Sequence, residues 1–291
     1  EDNGSCTYSA CMDENACNYN PNSMCDNNPE SCIYPSECAD CESLNFSQSI
    51  DLPSGWSLFS TYICPVDPSP DAVMIDLVNT NDLIIVKDEI GNVYWPTYNI
   101  NTIGNLSTGK GYLLKVENVS NLNVYGTLVN YDYSISINSG WSNLGYLHQE
   151  PYLLEDMMSS LVDNIIIMKD SEGNTFWPLF SINSIETMNP GEGYQIKVNN
   201  SVNFQYPSGG RLGFSEVNLP QKTIYYEPAH NTGHNMTIGL PTTAWEALPN
   251  IGDEIAAYDE SGNLIGSTLF DGNNIALTVW GDDLTTDSKD G

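Results

Sequence analysis

The residues able to do chemistry crowd into the first 45 positions. Seven of the eight cysteines lie there (Cys6, Cys11, Cys17, Cys25, Cys32, Cys38 and Cys41) and the eighth, Cys64, stands apart. An even total packed into a stretch with few aliphatic residues reads as an oxidised disulfide framework. Zinc would need paired Cys-x-x-Cys knuckles, and only Cys38-Ala39-Asp40-Cys41 has that spacing, with no histidine near it. Seven is odd, so Cys64 is expected to bridge back to the N-terminal module and staple it to the next domain. Between the cysteines, Asp13, Asn15, Asn18, Asn20, Asp26, Asn28 and Glu30 offer hard oxygen ligands at short spacing. Calcium takes six to eight such oxygens, so a calcium-binding module is expected, although Asp and Asn also favour turns for their own sake.

Further along, four more groups stand out. Trp95 and Trp177 recur at equivalent places, beside Tyr94 and Phe176. Alternation along a strand puts Trp on one face and Tyr or Phe on the other. The plainer reading is that the Trp packs the core of each repeat; the sharper one is an exposed platform for sugar rings. The chain has only eight Lys and Arg, yet Lys87 matches Lys169 and Lys115 matches Lys197. Pairing with Asp88, Asp170 or a neighbouring copy is expected of them. The acidic segments Asp271-Gly272-Asn273-Asn274 and Asp282-Asp283-Leu284-Thr285-Thr286-Asp287 read as solvated loops, with calcium as the alternative. His230 and His234 are four apart, but the Asn and Gly between them disfavour a helix and the Glu of a zinc-protease motif is missing. No nucleophile elbow, dinucleotide fingerprint or phosphate loop occurs, so no catalytic residue is assigned and a non-enzymatic protein is expected.

Asp and Glu outnumber Lys and Arg by 38 to 8, giving a net charge of -30. Such a surface repels nucleic acid and anionic lipid and suits cations or neutral polymers. No run of eighteen apolar residues suggests a membrane span. The chain begins at Glu1 and ends in the loop-like Ser288-Lys289-Asp290-Gly291, so both ends are expected to be cuts in a longer protein.

The elements that must position these groups follow from an internal repeat. Gly55-Trp56-Ser57, Leu83 to Asp88, Gly91 to Pro96 and Gly109 to Val116 return as Gly140-Trp141-Ser142, Ile165 to Asp170, Gly173 to Pro178 and Gly191 to Val198. The offset is 82 residues over most of the copy and 85 at the Trp of Gly-Trp-Ser. Each copy reads as short strands. A hairpin turn of type I with a bulge is expected at Asp88-Glu89-Ile90-Gly91-Asn92, and again at Asp170 to Asn174. One short helix per copy precedes it, started by Ser69-Pro70-Asp71 and continued from Ala72 to Val78, then started by Pro151 and continued from Leu153 to Val162. A third such turn, Asp259 to Asn263, lies in a strand-rich C-terminal region. The expected fold class is mainly β: a disulfide-rich module (1–45), two tandem β repeats with one short helix each (46–128 and 129–212), and a β-sandwich module (213–291) cut at its C-terminal end.

Ser5-Cys6-Thr7-Tyr8, Ala16-Cys17-Asn18-Tyr19-Asn20-Pro21 and Glu30-Ser31-Cys32-Ile33-Tyr34-Pro35 resemble a short module of very large surface proteins of gliding marine bacteria, exported by the type IX secretion system. That family usually has Asp-Asp-Gly before its Ser-Cys, where this chain has Asn27-Asn28-Pro29-Glu30. The module is also similar to the acidic calcium repeats of thrombospondin. The Lys-Asp-x-x-Gly-Asn-x-x-Trp-Pro repeats, Gly252 to Tyr258 and Trp280-Gly281-Asp282-Asp283 resemble other modules of the same proteins. The resemblance implies extracellular, cell-surface display and a structural or adhesive role, in which modules associate with each other or with further copies into a filament. The competing expectation is a carbohydrate-binding or accessory region of a secreted hydrolase, with glycans as partners of Trp95 and Trp177.

Overall fold

A computed structural model describes residues 46–213, 223, 225–227 and 229–286. The expected calcium ligands Asp13, Asn15, Asn18, Asn20, Asp26, Asn28 and Glu30 and the seven N-terminal cysteines lie outside them.

The first repeat runs β1 (Phe46–Leu52), β2 (Gly55–Phe59), β3 (Ile63–Pro65), α1 (Pro70–Val73), α2 (Ile75–Asn79), β4 (Leu83–Lys87), β5 (Val93–Trp95), β6 (Ile100–Asn101), β7 (Tyr112–Val116) and β8 (Ser120–Leu128). The second runs β9 (Ile135–Ile137), β10 (Gly140–Gly145), β11 (Tyr152–Leu153), α3 (Leu154–Met157), β12 (Ile165–Lys169), β13 (Thr175–Trp177), β14 (Ile182–Asn183), β15 (Thr187–Met188), β16 (Gly193–Val198) and β17 (Val202–Phe204). The C-terminal module has β18 (Asn235–Leu240), β19 (Glu254–Tyr258), β20 (Leu264–Leu269) and β21 (Ile275–Trp280). The fold is mainly β and antiparallel.

Each repeat is built on a five-stranded sheet, ordered β2-β7-β4-β5-β6 in the first and β10-β16-β12-β13-β14 in the second. The inner face of the first carries Phe59, Val86, Tyr94, Leu114 and Val116. It packs on Ile50, Leu52, Leu122 and Val124 of the β1-β8-β3 sheet and on Val73, Met74 and Leu77 of the helices. The second core repeats this with Leu144, Met168, Phe176, Tyr194, Ile196 and Val198 against Ile135, Ile137, Phe204 and the α3 region. Period-two alternation sends one set of side chains inward and the other out. Lys87, Lys115, Lys169, Lys197, Trp56 and Trp141 therefore share the outer faces.

The three hairpin turns have one chemistry. Asp88, Asp170 and Asp259 each accept bonds from two backbone N–H groups and from the amide of Asn92, Asn174 or Asn263. Gly91, Gly173 and Gly262 take φ of +91°, +90° and +88°, a region other residues rarely enter.

The helices are shorter than the sequence predicts. Ser69 caps α1 by accepting a bond from the Ala72 N–H, but Met74 leaves helical geometry and splits the element in two. In the second repeat Tyr152 and Leu153 pair as a strand with Met188 and Thr187, so the helix starts only at Leu154 and stops at Met157. Burial of Leu154, Met157, Met158 and Leu161 fixes this path in place of a continuous helix.

The repeats meet about a local two-fold relation. Ser60 N–H donates to Gly191 O (2.9 Å), and its counterpart Gly145 N–H donates to Gly109 O (2.8 Å). Phe59 bridges Glu192 as Leu144 bridges Lys110. A Cβ on Gly193 would sit 2.9 Å from Phe59 O, and one on Gly145 would sit 2.9 Å from Lys110 O. Gly193, which closes the second Gly-x-Gly, and Gly145 on β10 thus mark where the two backbones approach too closely for a side chain.

Candidate functional site

The two Gly-Trp-Ser strands build matching cation–aromatic clusters. In the first repeat Trp56 lies directly opposite Lys115. Lys87 Nζ sits 4.4 Å and Lys115 Nζ 5.8 Å from the Trp56 ring centre. In the second, Trp141 lies opposite Lys197, with Lys169 Nζ at 5.0 Å and Lys197 Nζ at 5.7 Å. A cation over an indole face contributes roughly 0.5–2 kcal/mol, more as water is removed.

The matched lysines were expected to pair with Asp88, Asp170 or a neighbouring copy, and for Asp88 and Asp170 the structure corrects this. Those carboxylates are committed to their own turns, and neighbouring strand residues point to opposite faces. Of the other described cations, Lys110 pairs with Glu89 and Arg211 with Asp156.

The first cluster is closed by the C-terminal module. Asp283 Oδ2 accepts from Trp56 Nε1 (2.8 Å) and from Lys115 Nζ (2.8 Å). Its Oδ1 accepts from the N–H and hydroxyl of Thr285, and Thr285 Oγ1 also accepts from Lys115 Nζ. Gly233 covers the Trp56 ring so closely that a Cβ would lie 2.9 Å from it. Asp283 is only 4% exposed and Trp56 equally so. Burial alone would raise the Asp283 carboxyl, but Lys115, Thr285 and Trp56 together hold it at about 2. The expectation of a solvated loop here is therefore wrong for Asp283: the acid is buried as the partner of a lysine and an indole.

The second cluster differs. Trp141 is 45% exposed, and besides that ring Lys169 donates to the amide oxygen of Asn235, at 2.7 Å. Burial pushes Lys169 down to about 8.

Trp95 and Trp177 are not the core residues of the plainer reading. Tyr94 and Phe176 are buried at 3% and 6%, while both Trp are half-buried on the outer face. Trp95 meets Tyr98 edge-on at 4.8 Å, and Trp177 meets Phe180 the same way at 4.7 Å. The β18 backbone covers Trp177 at Gly239, where a Cβ would lie 3.2 Å from the ring. Near it, Asn274 donates to Phe180 O and Thr278 to Gly173 O. A cleft of about 910 Å³ separates the same two modules, lined by Glu172, Phe180, Ile182, Thr268, Phe270 and Trp280. Tyr98, beside Trp95, stays 62% exposed.

His148 sits among Tyr131, Tyr146, Tyr152 and Tyr206, with Nε2 2.9 Å from Pro207 O, and burial pushes it below the ordinary histidine value. His230 and His234 occupy irregular chain before β18. Cys64, on β3, is not a free thiol. Among the described residues no group of three or more metal-ligating side chains converges, and no helix is long and apolar enough to cross a membrane.

Sequence reasoning missed Trp56 and Asp283 as joint-forming residues and Trp141 as the counterpart of Trp56. The signal was present for the two tryptophans: Gly-Trp-Ser and Lys-Val recur as a pair, and antiparallel pairing of those strands puts Trp against Lys. Asp283 has no such signal, because its partners are 168 and 227 positions away.

Comparison with known families, with curated proteins and with solved structures finds no match for the chain.

Proposed function

We propose that this chain is a non-enzymatic structural and adhesive segment of a large secreted cell-surface protein, stiffened at its N-terminal end by disulfides and calcium. The observation that carries the reading is where the scarce cations go. Lys115 spends its charge on the clasp that fastens the C-terminal module to the first repeat, and Lys169 contacts that module through Asn235. Glycine contacts join the two repeats. Tandem modules tied by buried joints transmit force and hold a fixed spacing, as a surface appendage requires. Mass measurement and imaging of native material test it: a discrete oligomer or fibre supports the role, and a strict monomer at high concentration counts against it. Free thiols in the native protein, or a melting curve unchanged by EDTA, would remove the stiffening by bridges and calcium.

A second reading rests on the Trp95–Tyr98 pair. Its counterpart is covered by the C-terminal module, whereas this pair remains open on the outer face of the first repeat. Stacking on a neutral glycan suits that surface. A glycan array with the native chain and Trp95→Ala separates the readings: reproducible binding lost in the variant favours carbohydrate recognition.

A further inference from the structure

The geometry points to a carboxylate-binding site at Trp141, Lys169 and Lys197, which receives an acidic Asp-x-Thr turn of a partner protein in the way that Trp56 receives Asp283. Three observations meet here. The frame is duplicated: the lysine opposite the indole stands 5.7 Å from the Trp141 ring centre and 5.8 Å from that of Trp56. Only one copy is filled, for Trp56 is buried beneath Gly233 and bonded through Nε1 to Asp283, whereas Trp141 is 45% exposed and its Nε1 has no acceptor among the described residues. The charge is also unbalanced. The filled site sets Lys87 and Lys115 against the Asp283 carboxylate, while among the described residues the open site sets two lysines against the neutral amide of Asn235. On a protein of net charge -30 such a spot is rare and selects an acid locally.

The filled copy defines the ligand. One carboxylate oxygen takes the indole N–H and the lysine together, the other caps the N–H and hydroxyl of a threonine two residues on, and that threonine accepts a second bond from the lysine. The glycine over the indole face in the filled copy, Gly233, belongs to the separate segment before β18, so the turn itself supplies the polar contacts. A peptide turn meets all of these requirements; an isolated carboxylate meets only the first. The partner is another protein because the chain's own turn is held at Trp56, where tethering gives it an effective concentration in the millimolar range. The site is independent of the adhesive role.

The test is to titrate the full chain, isotope-labelled at tryptophan, with the hexapeptide Gly-Asp-Asp-Leu-Thr-Thr that matches residues 281–286. The Trp141 indole N–H resonance is expected to move and saturate while that of Trp56 stays still. Lys197→Gln, a half-buried surface change, is expected to weaken binding about fivefold, as is the peptide with Asn in place of its second Asp. Persistence of the Trp56 resonance in Lys197→Gln shows that the variant is folded. The inference is overturned if no indole moves, if Trp56 moves instead, or if the Asn peptide binds equally well. It is likewise overturned if glucuronate saturates Trp141 at lower concentration than the peptide, since the partner is then a glycan.

Discussion

Replacing Asp283 with Asn tests the clasp between the C-terminal module and the first repeat. Among the described residues the carboxylate accepts four bonds, two on each oxygen. An amide has one acceptor oxygen, so its NH2 must face either Lys115 and Trp56 or the two donors of Thr285. Either orientation sets donor against donor, and Lys115 loses its counter-charge where its side chain is only 13% exposed. Removing one partner of a buried pair costs about 3–5 kcal/mol. Thr285 Oγ1 still accepts from Lys115, so the lower end applies, which is roughly a hundredfold in the docking equilibrium. Urea unfolding followed by tryptophan emission, with hydrogen exchange at the Trp56 indole, reads the result. The variant is expected to expose Trp56 and shift the midpoint down, or to split the transition as the module detaches. Acid should act similarly on the native chain. The Asp283 carboxyl is held at about 2 against an ordinary 3.8, so its contribution is complete above pH 4 and is lost as pH falls towards 2. A variant with the native midpoint, one transition and unchanged indole exchange would refute the reasoning.

Three further outcomes are expected. Burial pushes Asp170 from 3.8 up to about 7, with Glu192 and Glu172 adding to it, so stability should be full below pH 4 and decline as pH rises through 7, and Asp170→Asn should flatten that slope in urea titrations across pH. Gly193→Ala forces a methyl to 2.9 Å from Phe59 O and is expected to cost about 1–3 kcal/mol in urea unfolding, because the opposing atom is backbone and cannot rotate away. Trp177→Ala should destabilise by about 3 kcal/mol, since β18 packs on that ring, whereas Trp95→Ala should cost about 1 kcal/mol; calorimetry on the two variants gives the comparison.

Local chemistry was legible in the sequence and long-range contact was not. Asp88-x-x-Gly91-Asn92 and its two echoes specify their hairpins because side chain, backbone and glycine act within five residues. The Ser69 cap and Pro70 locate a helix start, but nothing local tells that Met74 will break it, since that follows from burial of Met74 and Leu77. Alternation separates Tyr94 from Trp95 without revealing which faces inward; the larger ring was assigned to the core and the smaller one is there. The lysine repeats are visible, but adjacency to Asp88 and Asp170 in sequence does not pair them, because the relevant neighbour is the tryptophan across the strand. The Gly-x-Gly pair is visible in the sequence as part of the repeat, but nothing local shows that Gly193 meets the backbone of the other repeat.

Joining the two repeats in one polypeptide changes what their contact has to achieve. Two separate chains meeting through a few backbone bonds and bare glycines would fall apart on dilution. Here each half is permanently within reach of the other, so the junction stays closed at any protein concentration, however weak its bonds are singly. Covalent linkage also frees the halves from having to be identical. The same outer surface can be consumed by an internal neighbour on one side, at Trp56, and left facing outward on the other, at Trp141.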